Sequence, residues 1–162
     1  MVDSVQMKAF IKKVLNTLNP DYASSEAVDL VFGTGMVESN YTYIRQMGKG
    51  KARGFWQVEV DSALDNINSF IKFRPALLKL CSKASGIDQA EWTNPSSVRW
   101  NYILEGNMHA GIIHCRIKYR RVPDPLSMTV KGMAYYWKKY YNTKGGKGKE
   151  QDFIHKWEKL QG

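Results

Sequence analysis

The chain has 162 residues, with 24 Lys+Arg against 15 Asp+Glu and 43% apolar residues. That balance excludes a disordered polyelectrolyte, and the length suits a single domain over residues 1–162. No apolar run reaches the roughly 18 residues a membrane span needs, and Met1-Val2-Asp3-Ser4 opens no basic-then-apolar leader, so no signal peptide is expected.

In chain order, Met7, Phe10, Ile11, Val14, Leu15 and Leu18 recur at helical spacing, with Lys8, Lys12 and Lys13 between them, and Asn19-Pro20 ends that helix. Ser24 or Ser25 caps a second helix whose inner face is Val28, Val31 and Phe32 and whose end is expected near Glu38. Gly33 and Gly35 inside it predict a close approach by another backbone or a ligand. The stretch Asn40–Gly54 reads as a glycine-bearing loop or short strands, with room for a small hairpin near Tyr41; its length favours a functional role over a plain connection. Helix resumes near Asp61, read as its cap, and again at Pro75, ended by Gly86. Asn94-Pro95 reads as a cap and first-turn proline for a helical pattern reaching about Arg121, which Gly106 and Gly111 break or allow to pack closely. Ser127 is expected to start a helix through Tyr141. A glycine-rich loop follows, and a last helix carries Phe153, Ile154, Trp157 and Leu160 on one stripe. The sum is a mainly α fold in one domain.

Two elements carry chemistry. Glu38 follows Met36 and Val37 at a helix end, and a carboxyl held against apolar groups stays neutral more readily and can serve as a general acid. Ser39 beside it is placed to hydrogen-bond and orient it. Downstream, Gly54 allows close backbone approach, Phe55 and Trp56 offer a cleft wall, and Gln57 offers one acceptor and two donors to sugar hydroxyls and acetamido groups. Read plainly, Phe55 and Trp56 are core aromatics and Gln57 is a surface residue. His109, His114 and His155 have no metal-ligand spacing, the two cysteines Cys81 and Cys115 lie far apart on expected helices, and neither a metal nor another cofactor is called for. The neighbours His114 and Cys115 read as a helix accident, not a nucleophile and its base. The Lys49–Arg53 run lacks a Walker ending and reads as a solvated loop or a lid over an anionic polymer. A net charge of +9 suits nucleic acid, anionic lipid or an acidic cell wall, and the aromatic, lysine-rich Tyr135–Tyr141 stretch suits base stacking less well than a half-buried helix.

The Glu38-Ser39 pair, a glycine-rich loop and then Gly54-Phe55-Trp56-Gln57 resemble soluble lytic transglycosylases and goose-type lysozymes. That family's third element, Tyr-Asn before a glycine, is best matched by Tyr141-Asn142-Thr143-Lys144-Gly145, with extra residues before the glycine; Tyr135 and Tyr136 are the alternatives. The Ala134–Thr143 run with Gly145-Gly146-Lys147-Gly148 looks like short bacteriophage proteins bearing such a domain. The resemblance implies a lysozyme-like fold and cleavage of the β-1,4 bond between N-acetylmuramic acid and N-acetylglucosamine in bacterial peptidoglycan. Glu38 then acts alone as acid and base, with Ser39, Phe55, Trp56, Gln57 and Tyr141 on the substrate. A two-carboxylate scheme would draw on Glu59 or Asp61, read as a solvated residue and a helix cap. The expected setting is a phage virion, beside tail or internal proteins, or the host cytoplasm before assembly. A virion structural protein and a basic nucleic-acid-binding protein are the other classes considered.

Overall fold

The structure is a computed structural model that describes residues 2–143 and 146–161; Lys144 and Gly145, which carry the glycine of the third element, lie outside the described residues. Among them the chain forms nine α-helices: α1 Ser4–Leu18, α2 Ser25–Ser39, α3 Val60–Ser69, α4 Pro75–Ser85, α5 Gln89–Thr93, α6 Ser97–Gly106, α7 Met108–Arg120, α8 Val130–Trp137 and α9 Glu150–Gln161. One apolar cluster draws residues from all nine. The fold is mainly helical, as the apolar periodicity predicts.

Capping chemistry explains most of the boundaries. The side chains of Asp3, Ser24, Asp88, Ser96, Asn107 and Thr129 each accept a hydrogen bond from a first-turn N–H of the helix that follows. Gly86, in the left-handed region at φ 72°, closes α4. These caps correct three expected boundaries and decide a fourth, the break that Gly106 offered. The pattern from Pro95 to Arg121 is two helices, because extended Asn107 stops α6 and caps Ala110 N–H of α7. Asn94 ends α5, while Ser96 starts α6. Ser127 makes a turn with Thr129 N–H, and Thr129 is the residue that caps α8. Asp61 is not a cap: α3 begins at Val60 after Glu59, and Asp61 sits in the first turn, where its charge suits the helix dipole.

The central helices are α2 and α7. In α2 eleven residues are buried, including Thr34, whose hydroxyl bonds Leu30 O at 2.7 Å and Tyr119 Oη at 2.8 Å. Sequence alone assigns α2 one inner face; it is in fact enclosed by α1, α7, α8 and α9. That enclosure explains Gly33 and Gly35. Aromatic rings take the space a Cβ would fill, Phe153 against Gly33 and Tyr41 against Gly35, rather than a backbone or a ligand. Helix α7 is equally enclosed and carries buried His114 between Trp92 and Trp100. Burial drives the His114 pKa down to about 3 and that of Cys81 up to about 12, and it raises the Cys115 thiol as well. A neutral imidazole and un-ionised thiols sealed in the core supply no nucleophile.

The segment between α2 and α3 replaces the expected hairpin. Its only pairing among the described residues is two isolated antiparallel bridges, Arg45 with Arg53 and Arg53 with Val58, both beyond Tyr41. Asn40 and Tyr41 both have φ 53°, which turns the chain sharply off the end of α2. At Gly54, with φ 74°, a Cβ would lie 2.6 Å from Leu104 O, so the loop is pressed directly onto the end of α6.

Candidate active site

The side chain of Glu38 leaves the last turn of α2 into a groove of about 1150 Å³. Tyr43, Met47 and Gln57 come to the groove from the α2–α3 segment. Lys118 comes from α7, and Trp137, Tyr141 and Asn142 come from the end of α8. After Trp137, α8 widens into a π-turn over Lys138–Asn142, and this carries Tyr141 and Asn142 to the groove. Helix α9, packed on α2 and α8, adds Asp152, His155 and Lys156 to the lining. Lys156 Nζ donates to Val37 O at 3.0 Å, placing an ammonium at the carbonyl end of α2 beside Glu38.

Glu38 itself is half-buried. Oε1 accepts a 3.0 Å hydrogen bond from Trp137 Nε1, and its backbone carbonyl accepts one of 2.8 Å from Tyr43 Oη. Burial holds the Glu38 carboxyl above its ordinary value, because desolvation penalises the charge more than its neighbours restore it. Those neighbours are the Trp137 indole, the Lys118 ammonium, the Asn142 amide and the Lys156 ammonium, in that order of weight. A carboxyl so held keeps its proton to higher pH than a solvated one and can still give it up.

The Gly54–Gln57 element sits differently from its expected role. Trp56 is 1% exposed, and its indole donates to Val31 O at 2.9 Å. It is a core residue packed on Gly111, not a cleft wall. Phe55 packs edge-on against Tyr41 and is not among the groove residues. Ser39 does not touch the Glu38 carboxyl. Its hydroxyl donates to Phe55 O at 2.7 Å and accepts from Tyr41 N–H at 3.1 Å, so it staples the loop to α2 from within the core. These polar atoms find backbone partners because the loop lies too close to α2 for water to serve them.

Gln57 does reach the groove, at φ 48°, with its amide donating to Gly54 O at 2.8 Å. One donor is thus committed to the turn, leaving Oε1 and a second N–H for a ligand. On the cell-wall substrate that the sequence resemblance implies, replacing Gln57 with Ala is expected to weaken turnover. It is also expected to cost about 1 kcal/mol of stability for the lost turn hydrogen bond, read by lysis rate beside a thermal melt.

Of the three candidate tyrosines, only Tyr141 lines the groove. Its hydroxyl donates to Trp56 O and its ring stacks on Tyr119, so it ties the third element to the second. Tyr135 is 52% exposed and Tyr136 bonds Asp124 O, both away from Glu38. Among the acids, Glu59 lies exposed on the groove rim and Asp61 is outside it. Asp152, which α9 brings to the groove, accepts the Lys149 N–H. In the α2–α3 segment Arg53 donates to Gly50 O and Ala52 O and lies 3.7 Å from Glu105, so the basic run is anchored at Arg53 while Lys49 and Lys51 face solvent.

Sequence reading missed Trp137, Lys118 and Lys156, and named Asn142 only as part of the third element. Trp137 lies 99 positions from Glu38, inside an aromatic run whose periodicity signals only a half-buried helix. A second depression of about 750 Å³, on the other side of the α2–α3 segment, holds Glu91 and Glu105 already paired with Arg99 and Arg45. Among the described residues no three His, Cys, Asp or Glu side chains are grouped as a metal site, and no helix is long and apolar enough to cross a membrane. Comparison with protein-family models, with curated proteins and with solved structures returns no match for this chain.

Proposed function

We propose that the chain is a peptidoglycan-cleaving glycosidase in which Glu38 protonates the glycosidic oxygen between N-acetylmuramic acid and N-acetylglucosamine and then acts as base. One observation carries this reading: a half-buried carboxyl with a raised pKa lies in a large open groove, held by a Trp N–H on one oxygen. The groove's cations, Lys118, Lys147 and Lys156, suit an anionic wall polymer. The catalytic scheme uses one acid. Glu59 is solvated on the rim and Asp152 is engaged in capping α9, so neither is held as a partner to Glu38. A virion-borne lysin is the setting the phage-like C-terminal run suggests.

A second reading, a virion structural protein of the same fold, draws support from Ser39 and Trp56, motif residues whose polar atoms serve packing. A nucleic-acid-binding role is less well supported, since the Tyr135–Tyr141 stretch is largely turned into the core through Tyr136, Trp137 and Tyr141.

Digestion of purified peptidoglycan followed by mass analysis of the fragments tests the proposal. The expected result is disaccharide-peptide ends lighter by one water than the hydrolytic product, the mark of an anhydro ring closed by the sugar's own hydroxyl. Hydrolytic ends would keep the glycosidase and replace the ring closure with water attack. Intact glycan after prolonged incubation would favour the structural reading.

A further inference from the structure

We infer that Trp137 is the positioning residue of this site: its indole N–H occupies Oε1 of Glu38 and so assigns the transferable proton to Oε2. Indole is a donor only. It bonds best to the carbonyl-type oxygen of a carboxylic acid, because the hydroxyl oxygen is the weaker acceptor. With Trp137 Nε1 at 3.0 Å from Oε1, the neutral acid therefore carries its hydrogen on the other oxygen. No rotation of the carboxyl is then needed before the proton moves to a substrate oxygen, and preorganisation of this kind is where positioning gains rate.

The ring that does this is held from several sides. Trp137 is 1% exposed, with Phe153 of α9 at 6.0 Å between ring centroids. A Cβ on Gly148 would lie 2.6 Å from its edge, so the backbone at Gly148 packs against the rim of the indole. Trp137 also ends the regular part of α8, immediately before the π-turn, so the wide turn begins at the residue that holds Glu38. The charged and titratable groups around the carboxyl come from every wall. Lys118 on α7 and Lys156 on α9 favour its charge, while Tyr43, Glu59, His114, Tyr141, Lys147, Asp152 and His155 line the same groove. The Asn142 amide is a second neutral group that favours the charge, but the bond from Trp137 Nε1 is the one side-chain hydrogen bond to the carboxyl within 3.5 Å among the described residues.

The catalytic half of this inference rests on the glycosidase reading; the placement of the proton does not. The test follows the Glu38 carboxyl carbon by NMR in protein labelled at the glutamate side chains, assigned by its loss in Glu38→Gln, with lysis kinetics measured in parallel. Two variants are compared with the parent: Trp137→Phe, and a Trp137 replacement by its benzothiophene analogue, which keeps the shape and removes only the N–H. The analogue decides the matter if Phe destabilises the fold. The expected result is an upward move of the Glu38 titration, since a bond that favours the charged form is gone. The alkaline limb of the pH–rate profile should rise with it, and kcat should fall about tenfold, as for one hydrogen bond to a charged group, with KM nearly constant. A merely structural Trp137 would leave the titration of the folded analogue variant unmoved, and that result overturns the inference. If the titration moves while the parent shows no wall lysis, the glycosidase reading fails and the proton assignment stands.

Discussion

Glu38→Gln is expected to lower wall lysis by roughly 10²–10⁴-fold, the range general acid–base catalysis supplies, while the variant melts higher than the parent at neutral pH. The two effects have one cause. Burial raises the folded-state pKa of Glu38 above its ordinary value of 4.5, so the native state holds this proton more tightly than the unfolded chain does. Stability therefore falls as pH rises from the unfolded value through the folded one, and above that the parent carries the cost of a desolvated charge. The amide carries no charge, and its oxygen still accepts from Trp137 Nε1–H. The variant's advantage in melting temperature should be full above the Glu38 pKa and vanish as pH falls below 4.5. A turbidity assay on wall preparations, beside melts at pH 7 and pH 4, reads both effects. Lysis within a few-fold of the parent would remove Glu38 from the chemistry. A difference in melting temperature between variant and parent that did not change with pH would show that its carboxyl is not desolvated.

Trp56→Ala is expected to cost about 3–5 kcal/mol, the usual loss for a large buried aromatic. Against a total stability of roughly 5–15 kcal/mol for such a domain, that is a large fraction. The indole fills the space above Gly111 and stacks edge-on with Tyr41 at 5.8 Å. Its N–H satisfies Val31 O in the middle of α2, and its backbone carbonyl accepts from Tyr141 Oη. Removing the ring opens a cavity between α2 and α7 and releases the segment that presents Gln57. Denaturant unfolding should show a large drop in midpoint, and activity should fall in proportion to the folded fraction. Full activity per folded molecule would agree with the structure's placing Trp56 in the core. Loss of turnover in a variant of native stability would instead return it to the substrate.

Helix α1 was legible because Met7, Ile11, Val14, Leu15 and Leu18 mark one buried stripe, and α4 because Pro75 and Gly86 bracket it. Helix α2 was misjudged as one-faced because its hydrophobicity is spread all round, which is what an enclosed helix requires. The short α5 left no readable signal, since five residues are too few for a period. For the site, Glu38 was legible as a carboxyl at the apolar end of a helix, and Gln57 as a polar group after a glycine turn. The expectation that Ser39 orients the Glu38 carboxyl fails, because adjacent residues on a helix point about 100° apart and the hydroxyl meets the Phe55 carbonyl instead.

The sequence by itself determined the helical class and the longer helices such as α1 and α4, since periodicity and stop signals are local, and it determined that an acid lies in the last turn of α2, since neighbouring apolar residues bury it. Which groups surround that acid was decided only by tertiary structure. Trp137, Lys118 and Lys156 reach Glu38 from three helices separated from it by 80 or more positions, and hydrogen bonding and desolvation act over ångströms of space rather than along the chain.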